Sequence, residues 1–221
     1  NGICEQLGFG DHGQEAVQQR VARGRERFAV GGHWQGVVGG RGSDVLRTPL
    51  DNESGHCLAQ VGRQQCLVEM GFYYPLRQLR AGRLRQLLIR HGFAASDSME
   101  RALRQLDFRD VGGYMRGFID LVFVDQGRYY LVDYKSNWLG DRQAAYDQAG
   151  LQNAIARDGY YLQYLLYCVA LHRYLAGRLP DYDYERHFGA VYYLFLRGMS
   201  PAAGPAFGVF RDRPPYPLVR D

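Results

Sequence analysis

One lysine, Lys135, stands among 27 basic residues, the other 26 being arginine. A chain that uses arginine for generic positive charge keeps lysine where a compact ammonium on a flexible stem is needed. Lys135 lies in Leu-Val-Asp133-Tyr134-Lys135-Ser-Asn-Trp-Leu-Gly, and a second aspartate precedes it in Gly117-Phe-Ile-Asp120. Two carboxylates and one ammonium on neighbouring strands are groups that can bind a divalent cation and a phosphodiester. Carboxylates brought close together repel unless something positive lies between them. Mg²⁺ fills that role while keeping room for waters and a substrate phosphate. It also lowers the pKa of bound water and stabilises charge on phosphate oxygens. Lys135 would orient the attacking water or offset the developing negative charge. The chemistry is phosphodiester hydrolysis. On a solvent-facing hairpin the same residues would make only a cross-strand ion pair. However, Tyr129-Tyr130-Leu-Val before Asp133 and Trp138-Leu139 after Lys135 point to a buried neighbourhood, where charges are rarely ornamental.

The elements that must position these groups are two strands, Gly117–Val124 and Arg128–Lys135, joined by the hairpin signal Asp125-Gln126-Gly127. A two-residue loop at Gln126-Gly127 pairs Asp125 with Arg128, which places Asp120 opposite Asp133. Directly opposed residues share a face, with Cβ atoms roughly 5 Å apart, and Lys135 points to the same side. A three-residue loop with a bulge would shift the register by one and leave the aspartates diagonal.

Around this hairpin the sequence predicts further elements. Cys66–Leu76 reads as a strand ending at Pro75. Leu79–His91 reads as a helix with Gly92 at its C-cap, and Met99–Leu106 as a short helix capped by Ser98. Gly159–Leu175 is a long aromatic-rich helix stopping near Gly177 and Pro180, and Phe188–Leu196 a buried strand. Residues 1–30 are helix-compatible, 31–45 form a glycine-rich loop, and from Ser200 a Pro/Gly-rich tail lies on the surface. The order fits an α/β sandwich with a mixed central sheet flanked by helices. At 221 residues and 46% hydrophobic content the chain suits one domain. Its parts are 1–110, a core over 111–198 and a tail over 199–221.

No apolar run is long enough to span a membrane, and no signal peptide is visible. The chain begins with Asn1, so it reads as a segment of a longer protein. Cys4, Cys57, Cys66 and Cys168 contain no CxxC, which argues against zinc and iron–sulfur sites and suits free thiols in a reducing cytoplasm. No Walker, zinc-finger or helix-turn-helix motif occurs, so neither ATP binding nor base-specific readout is expected. Arg77, Arg80, Arg83 and Arg85, with Arg101, Arg104 and Arg109, could follow a phosphate backbone; each alone suits a solvated helix face.

These residues resemble the PD-(D/E)xK nuclease superfamily, and within it the nuclease domains of RecB-type helicase–nuclease subunits. The resemblance is carried by Gly117-Phe-Ile-Asp120-Leu-Val-Phe and by Gly127-Arg-Tyr-Tyr-Leu-Val-Asp133-Tyr-Lys135-Ser-Asn-Trp-Leu-Gly140. Leu162-Gln163-Tyr-Leu-Leu-Tyr167 and Tyr193-Leu-Phe-Leu-Arg-Gly198 add to it. It covers about residues 1 to 211. It implies a restriction-endonuclease-like fold and a Mg²⁺-dependent deoxyribonuclease, with Mn²⁺ or Ca²⁺ as alternative occupants. Asp120, Asp133 and the Tyr134 backbone carbonyl would be metal ligands, and Lys135 catalytic. Gln163 and Tyr167 match a Gln-x-x-x-Tyr motif that touches DNA or orders the site, although their spacing also suits ordinary helix packing. Glu69 matches an upstream glutamate, and equally suits a solvent-facing strand position. The family's metal-binding histidine falls at Asn1, which leaves one ligand missing, and His12 and His33 are poorly spaced to replace it. Implied partners are single-stranded DNA, RecC- and RecD-like subunits and the RecA recombinase, in the bacterial cytoplasm. The alternatives are a catalytically weak module docking RecA or DNA, and a stand-alone nuclease of the same superfamily.

Overall fold

The computed structural model describes residues 42–220. The expectations for 1–30 and for most of 31–45 lie outside the described residues. Residues 42–47 are helical rather than loop, and Val45 and Leu46 are buried against the sheet.

Five strands form one mixed sheet in the order β1-β2-β3-β4-β5: β1 (Cys66–Leu79), β2 (Val111–Asp125), β3 (Arg128–Lys135), β4 (Phe188–Phe195) and β5 (Val209–Asp212). All neighbours are antiparallel except β3 and β4. A parallel pair needs a long crossover, and here it consists of α3 (Gln148–Arg157), α4 (Tyr160–Ala176) and the short α5 (Tyr184–His187). Two earlier helices, α1 (Ala81–Arg90) and α2 (Asp97–Gln105), connect β1 to β2, and α6 (Tyr216–Arg220) ends the described chain.

The sheet separates two apolar clusters. On one face, Leu88, Leu103, Leu151, Ile155, Tyr164, Leu171 and Leu218 from the helices pack on Val122, Leu131, Val191 and Tyr193. On the other, Val45, Leu50, Leu58 and Val61 cover Leu121, Phe123, Val132, Tyr192 and Leu194. Every residue of β4 is buried, as expected of a central strand covered on both faces.

Several boundaries differ from the expectations. Strand β1 runs through Pro75, which pairs with Tyr114; β1 is an edge strand, where a missing N–H costs no ladder bond. Strand β2 begins six residues earlier than expected, because Gly112, Gly113 and Arg116 hide a solvent-exposed ribbon that pairs with the far half of β1. The N-cap of α2 is Ser96, whose oxygen accepts from the Met99 N–H; Ser98 lies inside the first turn. Helix α3 was not expected. Its cap is Asp147, which accepts from the Gly150 N–H at 2.8 Å. The region after Ser200 is not a surface tail. Val209 and Phe210 in β5, and Leu218 and Val219 in α6, are buried. The Gly/Pro punctuation marks turns between elements too short to show periodicity.

Candidate active site

The hairpin has the two-residue loop. Gln126 and Gly127 both have positive φ, 47° and 77°, as a type I′ turn requires. Asp125 pairs with Arg128, and the same register holds as far as Leu121 and Val132. Its next step would set Asp120 opposite Asp133, but the ladder stops there. The Asp120 carboxylate instead accepts a hydrogen bond from the Tyr134 backbone N–H at 3.1 Å, while Asp133 and Lys135 pair with Tyr193 and Phe195 of β4.

The cause of this break lies on the other side of β2. Val68 and Leu121 pack in the second cluster; Met70 and Ile119, two positions away and paired with each other, pack in the first. Residues two apart in a regular strand share a face, so both strands turn over between these pairs. The residues at the turnover are Glu69, with φ 54°, and Asp120. A non-glycine residue in the left-handed region is uncommon and gathers at functional sites. This inversion is what takes Asp120 out of the regular ladder and frees its side chain for Tyr134.

Asp133 and Lys135 share the helical face and are buried, with side chains 6% and 10% exposed. Lys135 Nζ lies 2.7 Å from Asp133 Oδ2 and donates to Gln163 Oε1 at 2.8 Å. Gln163 Oε1 also accepts from the Tyr193 hydroxyl at 3.0 Å, and Gln163 Nε2 donates to the Tyr167 hydroxyl at 2.7 Å. The ammonium sits over the rings of Tyr160 and Tyr193, 3.8 and 4.8 Å from their centroids. This cation–π seat helps compensate a buried cation. Burial, reinforced by the Asp133 charge, pushes the Tyr193 phenol far above its ordinary range, so it is a fixed donor to Gln163. Helix α4 thus delivers Gln163 and Tyr167 from one face, as their spacing allows.

Of the residues singled out in the sequence, the structure joins Asp133, Lys135, Gln163 and Tyr167 in one network and brings Asp120 to the adjoining Tyr134. Glu69 is exposed at the strand turnover. Sequence reasoning missed Tyr193 and Tyr160. The available signal was a tyrosine in a fully apolar strand, whose hydroxyl must find a partner. Four of the candidate phosphate-contacting arginines have local partners. Arg101 donates to the Asp97 carbonyl. Arg85 donates to the Leu106 carbonyl, Arg80 pairs with Asp110, and Arg104 pairs with Glu100.

Two carboxylates and a backbone carbonyl are hard oxygen donors, a set that suits Mg²⁺, Mn²⁺ or Ca²⁺ rather than a soft metal. Among the described residues, no three His, Cys, Asp or Glu side chains come together as a metal site, and position 1, where the family histidine falls, is outside them. Among the described residues, Cys57, Cys66 and Cys168 form no disulfide. No helix among the described residues is long and apolar enough to cross a membrane.

The mixed sheet flanked by helices is the restriction-endonuclease-like fold. A model of the PD-(D/E)XK nuclease superfamily matches residues 44–208, and the chain belongs to that superfamily. It is similar to the RecBCD enzyme subunit RecB of Escherichia coli K12, with 43% identity over 88% of this chain and 16% of that protein. It is also similar to RecB of Haemophilus influenzae, with 43% identity over 80% of this chain and 14% of that protein. RecB of Mycobacterium tuberculosis is 49% identical over 48% of this chain and 10% of that protein. The chain therefore spans about one sixth of the first of these relatives. Nucleases of this superfamily typically use a divalent metal.

Proposed function

We propose that this domain hydrolyses DNA phosphodiester bonds with Mg²⁺. It would cut single strands, from ends and internally, as the nuclease part of a RecBCD-type helicase–nuclease. The observation that carries this reading is the buried Asp133–Lys135–Gln163 chain, set beside the Asp120–Tyr134 bond at the strand turnover. In this reading Asp120, Asp133 and the Tyr134 carbonyl hold the ion, with Glu69 a further carboxylate at the rim. When bound, the ion neutralises the carboxylates and offsets charge on the phosphate oxygens.

The protein's own groups do the rest. Gln163, fixed by Tyr193 and Tyr167, holds the Lys135 ammonium against the Asp133 carboxylate. Held there, Lys135 orients a water towards phosphorus and meets the negative charge that develops as the new P–O bond forms and the ester P–O bond breaks. The protons released by water pass to the departing oxygen and to solvent. By analogy with the RecBCD relatives, the domain acts in the bacterial cytoplasm on ends destined for recombinational repair, with RecC- and RecD-like subunits and RecA as partners. The segment has no nucleotide-binding motif, so unwinding would fall to other parts of such an assembly.

The test is cleavage of single-stranded DNA with and without Mg²⁺ by the parent, Asp133→Ala and Lys135→Ala proteins. Wild-type rates in both variants would remove these residues from the chemistry. A second reading, a nuclease fold kept to dock DNA or RecA, is motivated by asparagine at position 1, where the family's metal-binding histidine falls. Calorimetric titration separates the two: no heat with Mg²⁺, Mn²⁺ or Ca²⁺ supports docking.

A further inference from the structure

Trp138 is 64% exposed, three residues after Lys135, in a loop fixed on both sides of it. The Tyr146 hydroxyl donates to the Asn137 carbonyl at 3.3 Å and accepts from the Leu139 N–H at 3.1 Å, clamping the two neighbours of the tryptophan. The Asn137 side chain donates to Asp158 and accepts from the Tyr160 hydroxyl, each at 3.1 Å. Tyr160 is the residue whose ring underlies Lys135. Tyr146 is itself pressed against Gly198, where a Cβ would collide with it. Arg197, exposed beside that glycine, donates from Nε to the Ser136 carbonyl at 3.0 Å, bringing a guanidinium to the same loop.

A large apolar ring left in water on a mobile loop needs no explanation. One held out by four hydrogen bonds to its neighbours is pre-organised for a ligand. We propose that Trp138 is a stacking seat for one unpaired base next to the scissile phosphate, with Arg197 facing the backbone at that nucleotide. This inference rests on the nuclease reading above and specifies its substrate. Duplex bases are already stacked, so a lone indole beside the catalytic lysine selects a strand whose bases are free. Base–aromatic stacking tolerates any sequence, in keeping with the lack of a base-reading motif.

The experiment uses the full-length protein, single-stranded oligonucleotides carrying 2-aminopurine at successive positions, and Trp138→Ala and Trp138→Phe variants. In Ca²⁺, one aminopurine position is expected to be quenched by the parent, less by Trp138→Phe and not by Trp138→Ala. In Mg²⁺, Trp138→Ala should raise KM about 5- to 150-fold, the span that loss of one stacked base implies. It should lower kcat far less, and Trp138→Phe should recover most of the loss. Arg197→Gln should raise KM and reduce its dependence on salt. If the parent cuts and Trp138→Ala matches it in KM and in quenching, the stacking seat is wrong while the nuclease reading stands. If DNA binding is unchanged but association with partner subunits fails, the indole is a protein contact and the inference is overturned. If the parent does not cut at all, the nuclease reading itself fails.

Discussion

The Lys135 ammonium and the Asp133 carboxylate meet at 2.7 Å with both side chains almost wholly buried. A buried ion pair adds little over an apolar pair, but removing one partner strands the other charge. Lys135→Ala should therefore lower stability by about 3–5 kcal/mol and kcat by about 100- to 1,000-fold. The double variant Asp133→Asn with Lys135→Gln should regain most of the stability and none of the activity. Urea unfolding beside a cleavage assay checks this. A double variant as unstable as Lys135→Ala would show that the pair's charges are not the source of the loss.

Gln163 is the joint between this pair and helix α4. Its carbonyl takes two donors, Lys135 and Tyr193, and its amide donates to Tyr167. Tyr193→Phe removes one donor without creating a cavity and should cost about 1 kcal/mol. The rate should drop by more than that stability loss accounts for, because the amide is free to turn away from Lys135. Tyr167→Phe should act similarly from the other end. Rates measured at a temperature where all variants are fully folded separate the two contributions, and an unchanged kcat in Tyr193→Phe would make the phenol purely structural.

Much of this was legible in the sequence because it depended on local chemistry. Turn residues Gln126-Gly127 set the hairpin register, the i, i+4 spacing of Gln163 and Tyr167 put them on one helix face, and the apolar run Phe188–Phe195 marked the central strand. What escaped depended on tertiary context. Pro75 continues a strand only because β1 is at an edge. Residues 209–220 become core only because β4 offers an unpaired side. The end of the ladder at Asp120 follows from an inversion that β1 and β2 share at Glu69 and Asp120, which the continuous apolar run Leu121–Val124 conceals. Tyr193 joined the site through a strand that looked merely apolar.

That inversion makes its own prediction. Glu69 holds φ 54°, a conformation costing a side-chain-bearing residue about 1–2 kcal/mol and costing glycine little. Glu69→Gly should be more thermally stable than Glu69→Ala, because both lose the carboxylate and only alanine keeps a Cβ at this backbone conformation. If the carboxylate serves the metal, both variants lose Mg²⁺-dependent cleavage alike, whatever their stability. Wild-type cleavage in both would confine Glu69 to shaping the strands.

On the far side of α4, His172 supplies a pH dependence separate from the site. Burial, and secondarily the neighbouring Arg173, lowers its pKa below the ordinary value of 6.5. Nδ1 contacts the Tyr182 hydroxyl at 3.1 Å, and the rings of Tyr182, Tyr184 and Tyr216 surround it. The fold thus prefers the neutral imidazole. Above pH 6.5 both the folded and unfolded states carry it neutral, and it imposes no penalty. As pH falls through 6.5 the unfolded chain takes up a proton that the folded chain resists, so stability drops until the lowered folded pKa is reached. His172→Gln keeps a polar partner for Tyr182 but cannot titrate. Its urea midpoint should therefore fall less steeply than the parent's as pH drops below 6.5, the two proteins running parallel above it. Parallel curves throughout would place the acid sensitivity of the fold elsewhere.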